Sequence, residues 1–277
     1  MNRLLFFLIT IITVILHAQT KRFIYEYRYK LDSTKEEYQR EEVVLDINPD
    51  NVKFYDYNFL AVDSLNILHG NYNEGYTSMT EQVLLRKKNS FLNNNYLQIW
   101  MMPYYYLMQT KDEMKWDICN DTKVENGFNM QKATTNFGGR KWIAWFTQDI
   151  PISEGPYKFR GLPGLILKIE DDRHNFIYTF SRNKNLPKTF DTKSFVENHY
   201  DMKPVLVTFP AWVKLKKDFY NDPYARMRAE FQPDWNVNVN GRKIKSKEEF
   251  LELNTSMQKS IRDNYSNPIE LDKAIRY

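Results

Sequence analysis

The chain has 277 residues, a formal charge of +4 at pH 7 and one cysteine. That length supports one large or two small cores, the single cysteine excludes an internal disulfide, and the small basic excess, with both signs interspersed, gives nothing for a nucleic acid to read. Nineteen Tyr, 18 Phe and 6 Trp against 9 Gly favour strands, where large rings pack across a pleated surface, although AT-rich coding would raise Tyr and Phe together with Asn and Lys.

Arg3 precedes an apolar run, Leu4–Leu16, shorter than the ~20 residues of a membrane span. It fits the hydrophobic region of a secretory leader cleaved after Ala18; an uncleaved anchor is the other reading, since Leu16 is larger than the usual small residue. No cysteine follows the run to carry a lipid. Residues 19–277 then read as one β-rich domain with a helical C-terminal part from about residue 187, exported to the periplasm or the outer-membrane periphery, or secreted.

Period-two alternation predicts strands at Phe23–Lys30 and Glu41–Ile47, and after the Asn48-Pro49-Asp50-Asn51 turn at Val52–Tyr57. Phe59–Gly70 is either a short helix along Leu60, Ser64, Leu65 and Leu68 or a long connection. Strand patterns resume at Ser78–Lys87 and Tyr96–Met108, with Pro103 marking a bulge or edge. Two more, Met114–Cys119 and Gly127–Phe137, flank the hairpin dipeptide Asn126-Gly127. Arg140–Phe146 is apolar on both faces and reads as a central, doubly covered strand. An irregular crossover leads to a Leu165–Glu170 strand, an Asp171–Asn175 loop and a return strand with Phe176, Tyr178 and Phe180 inward. Thr192–His199 reads as a short helix, Pro223 interrupts Pro210–Glu230, and a capping box at Ser246–Glu249 opens a helix over Lys247–Asn264 that Pro268 stops. The pattern predicts a mainly β protein with C-terminal helices (α+β), built on a curved antiparallel sheet or incomplete barrel.

The segments Gln131–Arg140, Ala144-Trp145-Phe146, Asp149-Ile150-Pro151-Ile152, Gly155-Pro156 and Gly161-Leu162-Pro163-Gly164-Leu165-Ile166, in that order, resemble the GLPGLI family, exported proteins of Gram-negative bacteria with no assigned reaction. Asn267-Pro268-Ile269-Glu270-Leu271 resembles that family's C-terminal signature. Relatives often carry Cys where this chain has Met130, so any role of that thiol is missing here. The layout is similar to the periplasmic lipoprotein-carrier superfamily, which implies a concave sheet holding an acyl chain under a helical lid. That step is analogy of fold, which does not fix function.

The residues themselves point to no cofactor, metal or catalytic set. His69, His174 and His199 are at no ligand spacing, Cys119 reads as a small buried residue, and G-x-S-x-G is absent. Asp171-Asp172 and Glu248-Glu249 are neighbours in sequence, not carboxylates facing across a cleft. Asp149 reads as a holder of crossover amides or, on a hydrolase reading, as a catalytic acid. Arg140 stacks near Trp142 or Trp145, pairs with Asp149, or is solvated; Lys132 reads as solvated. Trp142, Trp145 and Phe146, with Leu165, Leu167, Phe176 and Tyr178, line either a pocket or plain core. In the hexapeptide, Gly161 and Gly164 permit positive φ or close approach, Pro163 fixes φ, and Leu162 turns inward as a plug, which makes Gly161–Ile166 a structural pivot or a binding loop. The expected function is non-enzymatic: binding of a lipid or apolar peptide on the curved sheet. The alternatives are an assembly module for an outer-membrane protein partner, using an exposed aromatic edge, and a hydrolase or peptidase accessory.

Overall fold

The computed structural model describes residues 19–70, 75–232, 234–239 and 241–277; the leader expected at residues 1–18 lies outside them. A meander of β1 (Thr20–Tyr29), β2 (Gln39–Ile47) and β3 (Asn51–Asp56) leads into helix α1 (Asn58–His69). This resolves the ambiguous stretch as helix, closed by Gly70 in the left-handed conformation at φ 67°. Strands β4 (Val83–Lys87), β5 (Leu92–Gln98), β6 (Tyr105–Lys111), β7 (Asp117–Glu125), β8 (Phe128–Phe137), β9 (Arg140–Thr147), β10 (Leu165–Asp171), β11 (Phe176–Leu186) and the short β12 (Val205–Leu206) follow. Helices α2 (Phe209–Asn221) and α3 (Ala225–Glu230), a small hairpin of β13 (Val237–Val239) and β14 (Arg242–Ile244), and helix α4 (Glu248–Asn264) follow, with single helical turns at Lys193–Glu197 and Leu271–Lys273.

One twelve-stranded sheet takes the order β12-β6-β5-β4-β3-β2-β1-β11-β10-β9-β8-β7. Among the described residues only β12 runs parallel to its neighbour, so the sheet is mixed, and β12 and β7 are its edges. Leu84 on β4 and Met130 on β8 belong to one apolar cluster, yet in a flat sheet seven strand spacings would put them roughly 34 Å apart. The sheet therefore curls without closing, and strands from both halves share a concave core.

Several elements differ from their sequence patterns. The expected Ser78–Lys87 strand begins only at Val83, because Asp56 draws the preceding residues into a loop, accepting bonds from Tyr76 Oη (3.1 Å) and Thr80 Oγ1 (2.7 Å). Tyr96–Met108 is not one strand but the end of β5 and the start of β6, with Met101 at φ 66° in the turn between them. β9 is third from an edge rather than central, and only its concave side is fully covered: Trp142, Ala144 and Phe146 are buried while Ile143 and Trp145 are half-buried. The capping box does not form as expected. The α4 N-cap is Lys247, and Glu249 Oε1 accepts the Lys245 amide at 3.3 Å.

Candidate functional site

Two segments that cross the concave face decide what it can hold. The first is residues 148–164, joining β9 to β10. Gly161 takes φ 103°, open to glycine and strained for other residues. This orientation sends Leu162 inward to 1% exposure, while its neighbours Gly161 and Pro163 face solvent. At Gly164 a Cβ would lie 2.1 Å from Thr147 O and 2.7 Å from its carbonyl carbon, so only glycine fits where the chain folds back against β9. Leu165 and Ile166 then enter the sheet as wholly buried residues. Tyr25 Oη donates to Ile166 O at 2.8 Å, tying the motif to the next strand but one.

The same crossover drives Tyr157 and Phe159 into the concave core. The Phe159 ring lies 4.5 Å from that of Trp142 and 6.4 Å from that of Tyr178. It also carries charge inward. Glu154 pairs with Arg86 of β4 and, at 3.3 Å, with Arg160. Burial lowers the Arg86 pKa, and Glu154 opposes that shift. Lys158 contacts Asp112 at 3.3 Å and Glu270 at 2.7 Å. The hexapeptide and the aromatic residues Trp142 and Phe146 are thus parts of a filled core. Trp145 lies on the opposite side of β9 with Lys123 Nζ 4.4 Å over its ring.

The second segment is the strap at residues 265–273. Arg140 is its anchor. It donates to Asp171 (3.1 Å), Asn267 Oδ1 (2.6 Å), Pro268 O (2.8 Å) and Ile269 O (3.1 Å), and its guanidinium lies 4.6 Å over the Phe176 ring. Asn267 Nδ2 donates onward to Lys30 O (2.7 Å) and Leu271 N to Gly138 O (2.6 Å). Arg140 therefore pairs with Asp171, not with Asp149, and stacks on Phe176, not on a tryptophan. Asp149 is exposed, and its Oδ2 accepts the Asn129 amide of β8 at 3.0 Å, not a crossover amide. Asp171 is buried against Arg140 while Asp172 faces out, so the adjacent acids point apart. Cys119, expected to be buried, is half-exposed on edge strand β7.

Beside the crossover, under the strap and the helices, the concave face retains a cavity of about 190 Å³. Its floor is Tyr27 and Tyr29 of β1, Gln82, Leu97, Met108 and Phe176; its roof is Phe209, Trp212 and Lys216 of α2 with Tyr265, Ile275 and Tyr277; Tyr157, Lys158 and Glu270 form one wall and Met79 and Glu81 another. The ring of Tyr27 stacks between those of Tyr29 (4.7 Å) and Tyr178 (4.4 Å). Tyr178 Oη donates to Gln82 Oε1 at 2.6 Å, and Gln82 Nε2 donates to Tyr27 Oη at 2.8 Å. Burial pushes the Tyr27 and Tyr178 hydroxyls up and Tyr29 up to about 12, so all three stay protonated.

The wall's charges are matched within the protein. Glu270 accepts from Tyr157 Oη (2.6 Å) and Lys158 (2.7 Å) and pairs with Lys273. Burial works against its carboxylate, but the two lysines outweigh it and hold the pKa below the ordinary glutamate range. Glu81 accepts from Lys216 Nζ and Tyr265 Oη, each at 2.7 Å. A second recess of about 190 Å³, lined by Met101, Met102, Met227, Trp235 and Phe250, lies at α3 and β13 rather than on the concave face. Glu81, Gln82, Trp212 and Lys216 carry no sequence signal that would have gathered them. They come from a loop and a charged helix more than a hundred residues apart.

A family model described as "Protein of unknown function (Porph_ging)" matches residues 104–168, which include β6–β9, the crossover and the hexapeptide. No curated protein matches the chain. Among solved structures, two of PNGF-II, in C2 and P21 space groups, are similar to it with TM-scores of 0.48 and 0.47 at 13% and 14% identity. Each likeness covers 72% of this chain, which spans only about a third (32% and 33%) of those chains.

Proposed function

We propose that the protein is an exported binding protein of GLPGLI type that takes the apolar part of a lipid or peptide in the cavity between the sheet and the C-terminal helices. The carrying observation is a concave space of about 190 Å³ where the rings of Tyr27, Tyr157, Phe176, Trp212 and Tyr265 meet lysine and glutamate side chains that are paired with one another. With those charges paired within the protein, the rings are the surface from which a guest gains most, which favours an apolar one. The volume is that of a ring or a short chain, since an apolar cavity of about 150 Å³ holds benzene. This supports a peptide side chain or the end of an acyl chain over a whole lipid tail. The centre of the concave face, the site first expected for the ligand, is occupied by Tyr157, Phe159 and Leu162.

Native mass spectrometry of the purified protein, with organic extraction of whatever it carries, tests the reading. We expect a bound apolar species or saturable binding of a small aromatic probe, lost in Trp212→Ala. A protein that carries nothing and binds no aromatic probe at millimolar concentration would overturn it.

The assembly reading draws support from one observation. At the β6/β12 edge Trp100 (55%), Tyr104 (49%), Val205 (55%) and Leu206 (66%) are exposed together with an open strand edge, the kind of surface to which an extended partner adds. The hydrolase reading needs Asp149 or another acid within a cleft; Asp149 lies on the surface bonded to an amide, and the cavity's own acids, Glu81 and Glu270, are each paired with lysine.

A further inference from the structure

One group in the cavity roof is not accounted for by apolar binding. The Lys216 ammonium lies 3.8 Å from the centroid of the Tyr265 ring and 5.5 Å from that of Trp212. It is 2.7 Å from Glu81 and the residue is only 5% exposed. Aromatic faces backed by a carboxylate are the surroundings that receive an organic ammonium. The packing of α2 does not need that charge there, because Trp212 already fixes the helix to Leu97, Tyr106 and Met108 of the sheet. The carboxylate is aimed at some cost to the backbone. Glu81 sits at φ 52°, a conformation rare for a residue with a side chain, and such strain gathers where a side chain must be held in place for a task.

Building on the cavity reading above, we propose that the ligand carries an ammonium group, and that this group takes the place of Lys216 between Tyr265, Trp212 and Glu81 while the apolar part fills the cavity. Lys216 is the resident occupant. Its four-carbon stem lets the head swing out to water. The other acid of the wall, Glu270, is held by two lysines, so Glu81 is the carboxylate freed when Lys216 leaves. A lipid-head amine and a peptide amine share this chemistry.

The test is calorimetric titration of an isosteric pair, 2-phenylethanol and 2-phenylethylamine, into the wild-type protein, Lys216→Met and the double variant Lys216→Met/Glu81→Gln. Lys216→Met is expected to bind the amine about tenfold more tightly than the alcohol, and the added Glu81→Gln to remove that preference. In the wild-type protein, the amine and not the alcohol should shift the Lys216 ¹³Cε resonance, a readout that needs no variant to fold. Equal affinities in Lys216→Met together with an unmoved Lys216 resonance overturn the inference and leave the cavity standing. Failure of both probes to bind any of the three proteins overturns inference and cavity together. Once the amine preference is seen, dihexanoyl phosphatidylethanolamine and a Phe-Phe amide identify the source of the amine by which binds more tightly.

Discussion

Two regions of the same concave face have opposite fates. At the centre, between β4 and β9, the crossover folds back into the curve and fills it with Tyr157, Phe159, Leu162 and a buried chain of charges. Beside it, the face at Tyr27, Leu97 and Met108 is roofed by α2 and the strap, and there about 190 Å³ stays open. The difference lies in how the covering is attached. The crossover joins adjacent strands, so each of its residues is placed by the sheet itself. The roof arrives from far along the chain and rests on Trp212 and the strap. A chain that must fill its own curve makes a core; a layer laid across the curve leaves room for a guest.

The contrast can be broken most severely at Gly164. Gly164→Ala drives a methyl group into the Thr147 carbonyl and is expected to cost about 4 kcal/mol or more, read as a lower midpoint in urea unfolding. Arg140→Met unfastens the strap and leaves Asp171 buried with only Asn175 and the Phe176 amide as partners. About 3–4 kcal/mol should be lost, and amide exchange at residues 267–271 should accelerate ahead of the rest of the molecule. Trp212→Ala removes the roof, with an expected loss of about 3 kcal/mol. Unlike Gly164→Ala, it should abolish binding of a small aromatic probe under conditions where the protein remains folded.

Two smaller effects sharpen the comparison by lying outside both regions. On the outer face, His199 stacks on Tyr105 at 4.7 Å with Nδ1 buried and unbonded, and burial lowers its pKa from 6.5 to about 4. The folded protein therefore binds fewer protons than the unfolded chain between those values. The stability from keeping His199 neutral is complete above pH 6.5 and is lost as pH falls toward 4, by about 2 kcal/mol. His199→Phe should flatten that part of the stability–pH curve while leaving probe binding at pH 7 unchanged. Asp149→Asn, exposed and bonded to the backbone and side-chain amides of Asn129, should cost about 0.5 kcal/mol and leave the cavity untouched.

Much of the sheet was legible residue by residue. Phe23, Tyr25, Tyr27 and Tyr29 announced one inward face, Asn126-Gly127 its hairpin, and Leu162 between glycines an inward plug, because period and turn chemistry are local properties. The sequence misled where a distant partner overrode local pattern. Ser78–Gln82 alternates like a strand but bends to satisfy Asp56. Of the candidate site residues, Trp142, Phe146, Leu162, Leu165 and Ile166 meet in one core, while Gly161 and Pro163 face solvent. Trp145 packs against that core from half-buried cover, Asp149 lies outside it, and Arg140 serves the strap.

By itself, the sequence determined the β-rich class, the crossover built on Gly161–Ile166 and the lack of a disulfide within the chain, since these follow from composition, short-range pattern and a count of thiols. Only the tertiary structure decided that the crossover fills the curve, that Arg140 reaches Asn267, and that Glu81 meets Lys216 across 135 positions. Such meetings depend on how far the sheet curls and where the last helices come to rest. Both are set by the summed packing of many side chains, which no short stretch of sequence encodes.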